Sequence, residues 1–350
     1  MKNRIISIKA IIAVLLVNAM IILSFSACLG PADKISNGSQ PNNGLEQNEK
    51  SSGAETQKET SSDTQAEELP TKDPQGNDIE IPEKLNSIAA MAPAIVEILV
   101  DLGLGDKIVA IELASVGIEG IREDAMVFDM MAPDAEKLIS LKPDILFAST
   151  ISQLGGSEDP FKLLQDVGIC VAYIPTSDTI DDIKNDIMFI AKATKTADKG
   201  RMIIEKMEKE IERISNIAKT ITEKKKVYFE IAAAPTIYSF GKGVFLNEMI
   251  ELIGAENVFA DQTSWMSVAP EVAVAKDPDV ILTNVNYIED PVAEIKSRDG
   301  WQDMKAIKND DVYYIDNMAS SLPNQNIIKA LWQIAKAVYP DKYGSYEKKD

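Results

Sequence analysis

The chain has 350 residues, 45% hydrophobic and 26% charged, with a formal net charge of −19 and no histidine. Such a composition fits one to three globular domains, and the acidic balance argues against nucleic acid, which needs a basic face. Without histidine, Ser-His-Asp and Cys-His catalysis and every His-based metal site are excluded.

Lys2, Arg4 and Lys9 precede an apolar run from Ala10 to Phe25. A basic start, a hydrophobic stretch and then small residues read as a secretion signal, with an uncleaved membrane anchor as the alternative. Phe25-Ser26-Ala27-Cys28 resembles a lipoprotein signal box, departing from it at Phe25, where Leu is usual. That resemblance implies that residues 1–27 are removed and that Cys28 carries lipid. Residues 28–73 are Gly, Pro, Ser, Asn, Gln, Thr and Glu with few aliphatic side chains. They cannot bury enough surface to offset ordering entropy, so a disordered tether is expected, spanning about 35–40 Å. Cys170, in the apolar run Gly168-Ile-Cys-Val-Ala-Tyr-Ile174, reads as a buried small hydrophobe.

The folded body is expected over residues 74–345. Asp78-Ile-Glu-Ile-Pro82 alternates like an edge strand stopped by proline. Ile88 to Met91 is a strand, Pro93 to Leu102 a helix ended by Gly103, and Ile108 to Ile111 a strand. Helices at 133–141 and 160–167 alternate with strands at 145–148 and 169–174, and Ile180, Ile183, Ile187 and Ile190 mark a further helix. This alternation predicts an α/β fold with parallel sheets.

Ala197, Gly200, Ile204, Met207, Ile211, Ile214 and Ala218 then recur at steps of three and four, one apolar stripe on a long helix over 196–220. The stretches on either side of it match. Glu136-Lys-Leu-Ile-Ser-Leu-Lys-Pro-Asp-Ile-Leu-Phe147 aligns with Glu271-Val-Ala-Val-Ala-Lys-Asp-Pro-Asp-Val-Ile-Leu282 at a constant offset of 135 positions, Glu136 on Glu271 and Pro143 on Pro278. Two related lobes, about 74–194 and 226–345, are therefore expected on either side of one bridging helix, enclosing a cleft where ligands bind. The second lobe is expected to hold strands at 227–231, 280–282 and 312–315 and a last helix over 325–338, with Ser264-Trp265-Met266 in a loop.

In open α/β sheets ligands meet the carboxyl ends of the strands. Met91, Met130, Met131 and Ser149 stand there in lobe one, and Tyr238, Trp265, Asn286 and Tyr287 in lobe two. Trp265 offers a large face for stacking, or else a lid over the core. Gly241-Lys-Gly243 lacks the phosphate-loop pattern. Asp129, Asp134 and Glu136 cluster on an acidic surface with no nucleophile beside a base, so neither a catalytic residue nor a metal ligand is assigned, and no cofactor is expected.

The chain resembles the periplasmic binding-protein family for iron-siderophore complexes and cobalamin, the substrate-capturing lipoproteins of ABC importers. The resemblance rests on Ile88-Ala-Ala-Met-Ala-Pro93 with Glu97, Leu102-Gly-Leu-Gly-Asp-Lys-Ile-Val109, Leu141-Lys-Pro-Asp144, Val227-Tyr-Phe-Glu230, Ser239-Phe-Gly-Lys-Gly243, Gly254-Ala-Glu-Asn-Val258, Asp277-Pro-Asp279 and Trp301 through Asp316. It implies two Rossmann-like lobes bridged by one helix (class III periplasmic binding proteins). It also implies a monomer, lipid-anchored to the cell membrane on its outer side, that takes a small-molecule chelate or corrinoid to the membrane subunits of a permease. Family members dock through one acidic residue per lobe, at positions matching Glu136 and Glu271, and Trp265 falls where cobalamin binders place a cleft tryptophan. Ser267-Val-Ala-Pro-Glu departs from the usual V-S-x-E.

Of five arginines only Arg122 and Arg298 are placed to approach the cleft, which disfavours a highly anionic chelate. Corrinoids and neutral hydroxamate chelates stand level. A haem-binding protein of the same fold is the alternative, weakened by the missing histidine. A secreted α/β enzyme or a surface adhesin would require turnover or a macromolecular ligand.

Overall fold

In this computed structural model residues 68–154 and 159–345 are described. The signal segment, Cys28 and most of the tether lie outside them.

Lobe one is a five-stranded parallel sheet in the order β3-β2-β1-β4-β5, built from β1 (Ile88–Met91), β2 (Ile108–Glu112), β3 (Met126–Phe128), β4 (Ile145–Ser149) and β5 (Cys170–Ile174). Its strands are nearly unbroken apolar runs, as sheets covered on both faces require. Helix α1 (Pro93–Asp101) follows β1, with proline at its first turn. Helices α2 (Ala135–Ser140), α3 (Lys162–Asp166) and α4 (Ile180–Ala193) complete the lobe. Thr179 and Asp182 form a reciprocal capping box at the start of α4.

Helix α5 (Ala197–Ala218) is the bridge, about 33 Å long at about 1.5 Å per residue. Gly200, Met207 and Ile214 of the expected stripe are buried, and Ile204 and Ile211 are half-buried against the same core. Gly200 lets α5 lie against α4: a Cβ there would stand 2.5 Å from that of Ala191.

Lobe two is a four-stranded parallel sheet in the order β11-β10-β6-β8, from β6 (Lys226–Glu230), β8 (Glu256–Asn257), β10 (Val280–Thr283) and β11 (Val312–Tyr314). Beside it β7 (Ile237–Phe240) and β9 (Trp265–Val268) pair antiparallel. Helices α6 (Phe245–Leu252), α7 (Pro270–Lys276), α8 (Pro291–Ser297), α9 (Lys305–Lys308), α10 (Asn317–Ser321), α11 (Ile327–Val338) and α12 (Pro340–Tyr343) follow in chain order.

The internal repeat is a repeat of geometry. Strand order β2-β1-β4-β5 in lobe one corresponds to β8-β6-β10-β11 in lobe two. Lys142 and Asp277, at the same offset, both take left-handed backbone, φ 47° and 42°. The aspartates after the two prolines lock each pair of central strands into register. Asp144 N donates to Ser87 O at 2.8 Å while its carboxylate accepts from Asn86 N and Ser87 N. Asp279 N donates to Lys226 O at 2.9 Å and its carboxylate accepts from Lys226 N.

One hydrophobic cluster runs through both lobes, joining Ile95 and Leu99 of α1, Ile183 and Ile187 of α4, Met207 and Ile214 of the bridge, and Met249, Leu331 and Ile334 of lobe two. Separate clusters cover the far face of each sheet. Dense packing transmits strain, so the lobes are coupled through their core as well as through the bridge.

Two expectations are corrected. Asp78–Pro82 forms no strand. Asp78 makes only an isolated bridge to Lys72, because Asp73 folds the segment back on itself by accepting from Gln75 N and Asn77 N. Asp73 also accepts from Tyr173 N of β5 at 2.9 Å and is buried, so it belongs to the folded body and not to the tether. Trp265 is not in a loop: it opens β9, opposite Phe240.

Candidate functional site

The Asn324–Asn326 loop of lobe two, which follows α10, bonds to Glu97 in α1 of lobe one, so the chain leaving β11 touches the helix leaving β1.

In lobe one, Met130 is buried and Met131 exposed, with Met131 N bonded to Asp129 Oδ1 at 2.9 Å. Ser149 is buried and caps the following turn by accepting from Ile151 N. Met91 is wholly enclosed in the lobe-one core, so it presents no surface to a ligand, contrary to expectation. The expectation failed because Met91 is the last residue of a central strand, with neighbours on both faces.

In lobe two, Tyr238 pairs with Ser267 across the antiparallel β7–β9 pair and bonds through its backbone to Ile231 and Ala232, the residues leaving β6. The half-buried Tyr287 accepts from Ala233 N through its hydroxyl at 2.8 Å. Asn286 is exposed and donates to Asn317 Oδ1. Trp265 is half-buried two rungs from the Tyr238–Ser267 pair, its ring edge-on to Phe240 at 5.8 Å.

Sequence reasoning missed several residues at these ends. Leu113 and Val116, in the turn after β2, and Met318, after β11, are exposed apolar side chains. With Met131 they put exposed apolar side chains past the ends of β2, β3 and β11. The available signal was a hydrophobic side chain just past a strand end, where the core no longer needs one. Glu112, the last residue of β2, is buried and accepts from Ala114 N at 2.8 Å. Burial pushes its carboxyl up to about 7, against the pull of the Ala114 hydrogen bond and with a further push from Asp129.

The electrostatics of the cleft follow from where the arginines end up. Arg298 lies under the carboxyl end of β6, bidentate on the fully buried Glu230 at 2.7 and 2.7 Å, and Glu294 binds its other edge. Burial opposes its charge, but the two carboxylates hold the guanidinium well above its usual range. Tyr228 donates to the same Glu230, and Trp301 stacks under Arg298 at 4.6 Å. Arg122 pairs with Asp124, and its backbone bonds Gly105 at the amino end of the sheet, opposite the ligand end. Arg201 and Arg213 are paired on the bridge. Neither Arg122 nor Arg298 is therefore free to meet an anion, which corrects the expectation that both could approach the cleft. Among the described residues no group of three Cys, Asp or Glu side chains is placed to hold a metal ion, and no helix is long and apolar enough to cross a membrane.

Glu136 and Glu271 occupy the same structural position. Each is exposed and is the second residue of its helix, after Ala135 in α2 and Pro270 in α7. Each helix leads into the amino end of a central strand, β4 or β10, and so begins on the carboxyl side of its sheet.

The family model described as "Periplasmic binding protein" matches residues 88–319. An uncharacterized ABC transporter substrate-binding lipoprotein, YvrC of Bacillus subtilis, is 32% identical over 273 residues, covering 77% of this chain and 85% of that protein. The vitamin B12-binding protein of Vibrio parahaemolyticus is 23% identical over 255 residues, 73% of this chain and 90% of its own. Among solved structures, a possible iron-binding (periplasmic solute-binding) protein from Staphylococcus epidermidis superposes with a TM-score of 0.66 at 27% identity, covering 73% of this chain and all of that one. The chain therefore belongs to the periplasmic binding protein family, as a substrate-binding protein of the kind that serves ABC transporters and not as an enzyme.

Proposed function

We propose that this protein captures a bulky, largely uncharged metal chelate, either a cobalamin-type corrinoid or a neutral ferric hydroxamate, between its lobes and delivers it to an ABC permease. The neutralisation of Arg298 by Glu230 is the observation that carries this reading. An anionic chelate would need an unpaired guanidinium at the strand ends, and all four arginines among the described residues are committed to carboxylates. The rims instead offer Met131, Leu113, Val116 and Met318 for apolar contact, and Tyr238, Tyr287, Asn286 and Trp265 for flat or polar groups. Met130 and Ser149 support the lobe-one rim from beneath.

Lipidation at Cys28 and a monomeric chain held outside the cell membrane by residues 29–72 complete the proposal, with Glu136 and Glu271 as the docking pair. Calorimetric titration of the folded body with cobalamin and with ferrichrome tests the capture step. A Kd near or below about 1 μM, roughly −8 kcal/mol, for either ligand supports the reading and chooses between them. Selective binding of a catecholate chelate would overturn the charge argument.

A further inference from the structure

The loops leaving β10 and β11 hold a group of uncharged polar side chains that packing alone does not satisfy. Asn284, the first residue after β10, is 2% exposed. Its Nδ2 donates to Ser320 Oγ at 3.0 Å and to Ser321 Oγ at 3.1 Å. Ser320 donates its own hydroxyl proton to Asp316 O at 2.7 Å, so towards Asn284 its oxygen acts as acceptor. That fixes the amide of Asn284 with Nδ2 on the serines and Oδ1 turned away from them. Among the described residues no donor reaches Asn284 Oδ1.

A buried acceptor left unpaired costs about 1–3 kcal/mol, and nearly all buried polar groups avoid that cost. Here the group sits one residue past the central strand of lobe two, at the end of the sheet where ligands bind. The network around it is neutral at the ligand side. Asn317 donates to Asn284 O at 2.7 Å and accepts from Asn286 at 2.9 Å. Lys329, the cation bonded into the network, is paired with Asp316 at 2.7 Å.

We propose that Asn284 Oδ1 is the acceptor of a neutral subsite that takes an uncharged N–H or O–H donor of the ligand, a carboxamide or a hydroxyl, and rejects a carboxylate. Asn286 and Asn317, joined by a single amide–amide bond and reaching solvent, part to admit the donor. A carboxylate brings no proton for Oδ1, so two acceptors would face each other. A site built around such an acceptor discriminates strongly against analogues that lack the donor.

This subsite rests on the capture of an uncharged chelate or corrinoid, and the experiment separates the two. The full chain is titrated with dicyanocobinamide, which carries carboxamides, with its analogue bearing carboxylates in their place, and with ferrichrome. The native chain is expected to prefer the amide corrinoid over the carboxylate by tenfold or more. Asn284→Leu is expected to weaken whichever neutral probe binds by about tenfold. Asn284→Ser, which keeps a hydroxyl for the serine pair but withdraws the acceptor, gives the same loss if leucine unfolds the loop. Equal affinity for amide and carboxylate, or undiminished binding of the neutral probe by a folded Asn284 variant, overturns the subsite and leaves the capture reading standing. Failure of the native chain to bind dicyanocobinamide and ferrichrome alike overturns the capture reading and the subsite together.

Discussion

Glu97 and Asn324 meet across the lobe junction: Asn324 Nδ2 donates to Glu97 Oε2 at 2.6 Å, and Asn326 Nδ2 reaches the same oxygen at 3.0 Å. Gln325 adds bonds to Glu97 O and to Asp101. Asn324 is fully buried, so removing the carboxylate strands its amide. Glu97→Ala is expected to lower unfolding free energy by roughly 1.5–3 kcal/mol in urea denaturation, with Glu97→Gln losing less because its amide oxygen still accepts. An unchanged midpoint for the alanine variant would mean that this clasp does not hold the lobes together in solution.

Glu112 makes stability depend on pH. Burial raises its carboxyl to about 7, above the ordinary 4.5 of a glutamate, so the native state binds the proton more tightly than the unfolded chain does. The stability it contributes is fully present below about pH 4.5 and is lost as pH rises through 7, by roughly 3 kcal/mol at most. Glutamine keeps an acceptor for Ala114 N without the charge. Glu112→Gln is therefore expected to be more stable than the native chain at pH 8 and equal to it near pH 4. Thermal unfolding at the two pH values checks this, and a difference independent of pH would refute it.

Arg298 and Glu230 form a buried pair whose members need each other. Arg298→Leu leaves Glu230, fully enclosed, without its counter-charge, a loss expected to cost about 3–5 kcal/mol. Replacing both with leucine is expected to recover much of that loss, since an apolar pair has no charge to desolvate. Urea denaturation of the single and double variants measures the difference. A double variant as unstable as the single one would show that the charge pair holds more of the fold than its own desolvation.

Trp265 differs from the two other tryptophans in standing on β9 beside the proposed ligand site, half-buried and edge-on to Phe240. Trp301 is buried under Arg298, and Trp332 donates to Glu210 beneath Arg213. A change in emission on ligand binding should therefore arise from Trp265. Trp265→Phe is expected to abolish that change and to weaken binding roughly 2- to 10-fold, the worth of one aromatic contact. Persistence of the emission change in the variant would place the ligand away from β9.

Periodicity made the scaffold legible. The 3-4 stripe from Ala197 to Ala218 gave the bridge because its residues lie close together in sequence, and the Glu…Pro-Asp stretch gave the two lobes because the same short run recurs 135 positions on. The antiparallel pairing of β7 with β9 was not legible: the strands are four residues each, and a helix and a strand lie between them in sequence. The same limit applied to the site. Arg298 looked available because Glu230 lies 68 positions away, and Met91 looked like a cleft residue because a strand end and a core position carry the same residue type. Glu112 gave no signal, since what distinguishes it is the burial of its carboxylate, and Asn284 was legible only as a residue at a strand end, not as a buried side chain with an unpaired oxygen.

Glu136 and Glu271 are a pair that the repeat and the geometry define together. Both are exposed, both stand second in a helix that opens on the carboxyl side of a sheet, and they sit at equivalent positions of the two lobes. Neither bears on the core, so alanine at both positions is expected to change stability by no more than about 0.5 kcal/mol. A negative charge near a helix start is favoured by the helix dipole, but at an exposed site that effect is small. The informative measurement is uptake against binding. The double alanine variant should bind ligand with the native Kd and fail to support transport through the cognate permease. Charge reversal to Lys at both positions should do the same more completely, since a cation repels whatever positive group a docking carboxylate would attract. Normal uptake by the double variant would remove these glutamates from the docking surface, whereas weakened ligand binding would mean that they act on the cleft instead.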